Sequence, residues 1–221
     1  MLQPSTLKFL KDLKKNNNKP WMDAHRDAYL AAKEDHENFV TAVLEKFSKS
    51  DPDLVGLKAK DCTFRINRDV RFSKDKSPYK SNFGAYFSRG GKKSIYAGYY
   101  FHFDAEKSFA GGGMWHPMPP ELKKIRQEID YNFEDFSKIL KSKRFANQFG
   151  GFRKGEENVL SRPPKGYDDS NPAIEFIKMK NFVATRPFAN SILTSKDLVK
   201  QTVTAFEALM PLVKFINQAF E

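Results

Sequence analysis

Cysteine is almost missing from this chain. Cys62 has no second thiol to pair with, which excludes an intrachain disulfide and any cysteine-based zinc site. The histidines His25, His36, His102 and His116 are scattered, with no HExxH and no close pair, so no metal site is expected. Apolar runs stay far below the ~20 residues that span a bilayer. The opening Met1-Leu2-Gln3-Pro4-Ser5 lacks the basic and apolar regions of a secretory signal. The expected setting is therefore cytoplasmic, with no membrane partner. Gly111-Gly112-Gly113 lacks the Lys-Ser/Thr of a phosphate loop and runs into Met114-Trp115-His116-Pro117 rather than a helix. Asn67-Arg68-Asp69-Val70-Arg71 has a trace of a kinase catalytic loop, but no Gly-rich loop, strand lysine or Asp-Phe-Gly accompanies it. No Gly-x-Ser-x-Gly elbow occurs. With these motifs absent, no cofactor is expected.

What is present is phenylalanine and positive charge. The 221 residues include 21 Phe and are 40% hydrophobic, enough for a core without staples, and a single domain over 1–221 is the expectation. Net charge is +11, only mildly polarised along the chain. It favours anionic partners without demanding a long nucleic-acid stripe.

Periodicity divides the chain into three parts. Pro4-Ser5-Thr6 starts a helix that Asn16-Asn17-Asn18 ends. Lys19-Pro20-Trp21 opens a longer one, with Tyr29, Ala32, His36, Val40, Val43 and Phe47 as its buried stripe. The middle changes to a period of two. Residues 62–66, 82–88 and 94–104 read as strands, with Arg89-Gly90-Gly91-Lys92 as a hairpin loop and 108–115 returning antiparallel. Helices then resume at Pro119-Pro120-Glu121, over 133–140 and over 172–180, with a late strand at 182–185. A last helix after Ser195-Lys196-Asp197 carries Val199, Val203, Phe206, Met210, Val213 and Phe220. Helices on either side of a block of strands predict an α+β fold: a central antiparallel meander sheet with the N-terminal and C-terminal helices packed mainly on one face.

Strand alternation predicts two faces. Cys62, Phe64, Ile66, Phe83, Ala85, Phe87, Ile95, Ala97, Tyr99, Phe101 and Phe103 form the core face. Thr63, Arg65, Asn67, Asn82, Gly84, Tyr86, Ser88, Tyr96, Gly98, Tyr100, His102 and Asp104 form a polar, aromatic, glycine-interrupted face that reads as a pocket. His102 and His116 lie near it and are the acid–base candidates. Cys62, on the apolar face, reads as buried filler.

Between the first two predicted strands lies the basic segment Arg65 to Lys80. Arg grips planar oxyanions with a two-pronged fork, and long loops in compact domains are often functional. The expected anion site comprises Arg65, Arg68, Asp69, Arg71, Lys76, Tyr79 and Lys80, with Tyr86 and Tyr100 from the polar face. The opposing expectation is a structural network in which Asp69 and Asp75 pair with these cations.

The string Arg65-x-x-Arg68-Asp69-x-Arg71-Phe72-Ser73-x-Asp75-Lys76-x-Pro78-Tyr79-Lys80 resembles the signature of a widely scattered bacterial family of conserved proteins of unknown function, about this length. The resemblance extends to Phe9-Leu10-x-x-Leu13-x-x-Asn16-Asn17, Trp21, Ala97-Gly98-Tyr99-Tyr100, Gly112-Gly113-Met114-Trp115 and Arg162-Pro163-Pro164-Lys165-Gly166-Tyr167-Asp168. Met22 stands where the family often has a second aromatic. The resemblance implies a shared site but no activity. The residues support three functions, in order: a site for a phosphorylated or carboxylated small molecule with turnover left open, a nucleic-acid binder, and a partner-binding scaffold with an inert Arg–Asp network. No feature of the sequence sets an oligomeric state.

Overall fold

Where the hydrophobic period drops to two, the chain forms strands: β1 (Asn82–Phe87), β2 (Gly98–Asp104) and β3 (Phe109–Met114), joined later by β4 (Phe182–Pro187). In the computed structural model, which describes residues 1–153 and 155–221, they form an antiparallel meander in the order β1-β2-β3-β4. Helices precede and follow this block, so the fold is α+β. Contacts group the chain into two compact units. The first comprises Met1–Lys93, Tyr100–Ala110 and Pro187–Thr204, and the second Ser94–Tyr99, Gly111–Arg186 and Ala205–Glu221.

In the first unit, α1 (Pro4–Lys15) packs on α3 (Arg26–Phe47), with α2 (Lys19–Ala24) between them in the chain. Asp35 ties the two together by accepting from Gln3 N at 2.8 Å and Thr6 Oγ at 2.6 Å. The α3 stripe is buried at Ala32, His36, Val40, Val43 and Phe47. Phe39 meets Phe101 of β2 at 4.5 Å between ring centroids, and Phe101 meets Phe188 at 6.1 Å. The second unit contains α5 (Pro119–Tyr131), α6 (Phe133–Lys141), α7 (Lys143–Phe149) and the later part of α10 (Leu198–Gln218). Its centre is Phe136, with Phe176 at 5.0 Å and Phe215 at 5.2 Å, and Tyr99 packs on Phe206 at 5.3 Å. Along β2, Tyr99, Phe101 and Phe103 are buried while Tyr100, His102 and Asp104 are half-buried, so the alternation is real.

Several expectations are corrected. Residues 62–66 are not a strand. Cys62 ends α4 (Ala59–Cys62), and the residues after it pair at two isolated bridges, Thr63 with Ala85 and Asn67 with Tyr79. Arg68 N donates to Pro78 O at 2.9 Å, but Pro78 has no N–H to return, so no regular ladder develops. Phe64 consequently leaves the core and is 39% exposed. β2 begins at Gly98 rather than at 94. Asn217 occupies both backbone groups of Ala97, accepting from its N at 2.8 Å and donating to its O at 3.3 Å, and Ile95 before it is exposed. The helix from Lys19 breaks at His25, whose Nδ1–H donates to Trp21 O at 2.8 Å while its ring stacks on Trp21 at 4.1 Å. The helix expected over 172–180 shrinks to α8 (Ile174–Ile177), because Leu160 N donates to Lys178 O and Lys180 N to Asn158 O. A further short helix, α9 (Asn190–Leu193), precedes α10, where Pro211 sits inside the helix.

Two buried features bear on stability. Gly111, Gly112 and Gly113 let β3 lie very close to its neighbours. A Cβ on Gly111 would sit 2.5 Å from Ala184 O, and one on Gly112 would sit 2.5 Å from Gly98 O. His36 is 2% exposed and stacked on Phe83 at 5.3 Å, and among the described residues neither ring nitrogen has a hydrogen-bonding partner. Burial lowers its pKa to about 4, with the Gly84 backbone opposing.

Candidate functional site

The basic segment forms an antiparallel ribbon with a closed loop at its end. Lys80 N donates to Ile66 O at 2.8 Å and Phe64 N to Gly84 O at 3.1 Å, and the Asn67–Tyr79 bridge shuts the loop. Inside it, Asp75 is the hub. It pairs with the Arg68 guanidinium and accepts from Ser77 N at 2.9 Å and Ser77 Oγ at 2.6 Å. These donors, Ser77 first and Arg68 second, hold the Asp75 carboxyl far below the usual carboxylate range. Arg68 Nη2 also reaches Ser73 Oγ at 3.4 Å. Arg71 forks onto Asp69 through Nε at 3.0 Å and Nη2 at 2.7 Å, and Lys76 Nζ donates to Val70 O at 3.0 Å. Arg68, Asp69, Arg71 and Lys76 thus spend their charge on one another and on the backbone.

Asn17 holds the ribbon to the rest of the first unit. Its side chain accepts from Tyr79 N at 3.1 Å and donates to Tyr79 O at 2.9 Å. In the sequence, the Asn16-Asn17-Asn18 run reads only as a helix stop. Asn16 does end α1, and Asn18 caps α2 by accepting from Trp21 N at 3.0 Å, but Asn17 is the clamp. Only the pairing partner 62 residues away distinguishes it from its neighbours. Asn17→Ala leaves both backbone groups of Tyr79 without their partners and is expected to cost about 1–3 kcal/mol, read from urea unfolding at neutral pH.

Arg65 and Lys80 behave differently from the loop cations. Arg65 is exposed and makes no ion pair among the described residues. Lys80 is half-buried with its Nζ over the Phe64 ring at 5.6 Å, and no carboxylate reaches it among the described residues. Its pKa is lowered, first by desolvation and then by the positive charge of Arg65. Phe64 leads on to the polar face, with the Tyr100 ring at 6.5 Å. Tyr100 Oη and His102 Nδ1 share a hydrogen bond at 3.2 Å, and His102 stacks on Phe109 at 4.8 Å. Gly84 makes room for Tyr100, because a Cβ there would lie 2.5 Å from its hydroxyl. Burial pushes the Tyr100 phenol up to about 12 and lowers the His102 pKa, with Asp104 opposing the latter. The pair is therefore neutral near neutral pH, a phenol O–H and an imidazole available for hydrogen bonding and proton exchange. Tyr86 is half-buried, with its phenol pKa raised by burial.

The structure thus brings Arg65, Lys80, Tyr100 and His102 into one chain of neighbours through Phe64, and places Arg68, Asp69, Arg71 and Lys76 in the loop beyond it. His116 belongs to the second unit, where it adopts φ 48 and its N donates to Asn181 Oδ1 at 2.6 Å. Cys62 is buried, its thiol pushed up to about 12 by burial, which suits filler rather than a nucleophile. Among the described residues no cluster of His, Cys, Asp or Glu is arranged to hold a metal ion, and no helix is long and apolar enough to cross a membrane. One open groove of about 430 Å³ lies in the first unit, lined by Thr41, Leu44 and Val55 among others, and one of about 400 Å³ in the second, lined by Asp135, Pro211 and Phe215 among others. Neither contains any of the expected site residues.

A family model described as Conserved hypothetical protein (DUF2461) matches residues 5–215. No curated protein and no solved structure matches the chain.

Proposed function

This chain belongs to the family of conserved hypothetical proteins DUF2461, and we propose that it binds a small phosphorylated or carboxylated molecule at Arg65 and Lys80, beside Tyr100 and His102. The observation that carries this reading is Lys80. An ammonium taken partly out of water, next to a second cation and without a carboxylate among the described residues, is unfavourably placed. An oxyanion lying between Lys80 and Arg65 would reverse that balance. Arg65 offers an unused fork for a planar carboxylate or phosphate, and the Tyr100 hydroxyl and His102 imidazole offer neutral hydrogen bonds to the rest of the ligand. The mutual pairing of Arg68 with Asp75 and of Arg71 with Asp69 supports a narrower site than the full basic segment, with the loop pairs acting as its frame.

The test is thermal unfolding of the native protein and of Lys80→Met with inorganic phosphate or citrate, at constant ionic strength. Ligand that binds the folded state raises the melting temperature with concentration. The native protein is expected to respond and Lys80→Met to respond far less. Without added anion, Lys80→Met is expected to be at least as stable as the native protein. A native protein indifferent to both anions, or a marked loss of stability in ligand-free Lys80→Met, would overturn the reading in favour of a structural lysine.

A further inference from the structure

The loop that the Arg–Asp pairs hold together presents one side chain that none of those pairs explains. Phe72 is 95% exposed. A phenylalanine so exposed gains nothing for the fold, since burying the ring is where its stabilisation comes from. Yet the backbone on either side of it is fixed. Ser73 N donates to Val70 O at 3.4 Å, Lys76 Nζ to the same carbonyl at 3.0 Å, and Arg68 reaches across the loop to both Ser73 and Asp75. Arg71 lies over the Phe72 ring at 5.8 Å while its fork is held by Asp69. The loop therefore presents a bare aromatic ring in a set position.

We propose that this loop is a contact site for single-stranded nucleic acid, with a base stacked on Phe72 and backbone phosphates drawn to Lys74. The charge is complementary: residues 65–80 hold six basic and two acidic side chains, in a chain of net charge +11. Lys74 is exposed and has no ion-pair partner among the described residues. Stacking on an exposed ring is tolerant of base identity and suits a strand whose bases are unpaired. A second ring on the same ribbon, Phe64, is 39% exposed and also carries a cation, Lys80, so a strand running along the ribbon would meet ring and cation twice. An anionic lipid surface fits less well. Phe72 is the one bare ring at the loop end, and the Asp69 and Asp75 carboxylates beside it would be carried toward the headgroups.

The experiment is fluorescence anisotropy with labelled oligo(dT) and oligo(rU) of about twelve nucleotides at low salt, within the site sizes such surfaces cover. The native protein is expected to bind both. Phe72→Ala is expected to weaken binding about tenfold or more while Phe72→Tyr retains it, and Lys74→Ala to flatten the plot of log affinity against log salt by roughly 0.7. Circular dichroism checks that these exposed positions leave the fold unchanged. No binding by the native protein, equal binding by Phe72→Ala, or Phe72-dependent binding to phosphatidylserine vesicles without binding to the oligonucleotides would each overturn the proposal. Failure of this inference and failure of the anion site are distinguishable, because Phe72→Ala keeps Lys80 and its response to phosphate.

Discussion

Gly113→Ala is expected to leave no cooperatively folded protein. Gly113 adopts φ +115, a region L side chains rarely enter, and a Cβ there would fall deep inside the van der Waals radius of Phe182 O. The obstacle is backbone, not the flexible end of a side chain. β3 cannot step aside, since Gly112 and Gly111 already bring it close to Gly98 O and Ala184 O. Relief would require breaking the pairing of β3 with β4, and a cost above about 4 kcal/mol takes most of the stability an ordinary domain has. Gly150→Ala is the control. Its φ is +66, but no described residue lies within 4 Å of the added carbon, so it should lose about 1–2 kcal/mol and still melt cooperatively. Soluble yield and a circular-dichroism melt of the two variants decide it. A Gly113→Ala protein melting within a few degrees of the native would show that β3 has slack the geometry denies.

Acid is expected to weaken the protein before its carboxylates titrate, and His36 is the reason. Its pKa is about 4 in the folded chain and about 6.5 when unfolded. The folded pKa is the lower one, so between these values the unfolded chain binds the extra proton. Stability is complete above about pH 6.5 and falls as pH drops toward 4, by roughly 3 kcal/mol in all. His102, whose pKa is also lowered, acts in the same direction, so the comparison must be between proteins rather than between pH values alone. His36→Leu removes the titrating ring and its two unpartnered nitrogens while keeping an apolar group against Phe83. At about pH 7 it should be as stable as the native protein or more so. At about pH 4.5 it should exceed the native protein by roughly 2–3 kcal/mol in urea unfolding. Parallel pH profiles for the two proteins would show that His36 is solvated or hydrogen-bonded after all.

Much of the architecture was open to reading because it rests on local rules. The helix starts at Pro4 and Pro119, the switch to a period of two and the return to helices all come from side-chain spacing and from proline and asparagine chemistry. The alternation of Tyr99, Phe101 and Phe103 against Tyr100, His102 and Asp104 was legible because a strand turns each side chain to the opposite face. The strand limits were less so. Nothing local warns that Asn217 will take the backbone of Ala97, or that His25 will hydrogen-bond and stack back on Trp21 and split a helix.

The candidate site divides along the same line. By itself the sequence determined that Arg65 to Lys80 is rich in cations, that Asp69 and Asp75 were available to pair with them, and that Tyr100 and His102 share a face. Which cations pair and which are left over was decided by the tertiary structure. The ribbon geometry sets Arg68 on Asp75 and Arg71 on Asp69, while Asn17 clamps Tyr79 from the turn between α1 and α2. Lys80 is left over Phe64 without an acid among the described residues, and Phe72 is left in water. The physical reason is that pairing is a matter of distance in space. Composition counts charges, but whether an ammonium meets a carboxylate, a ring or a second cation depends on where the folded backbone carries it.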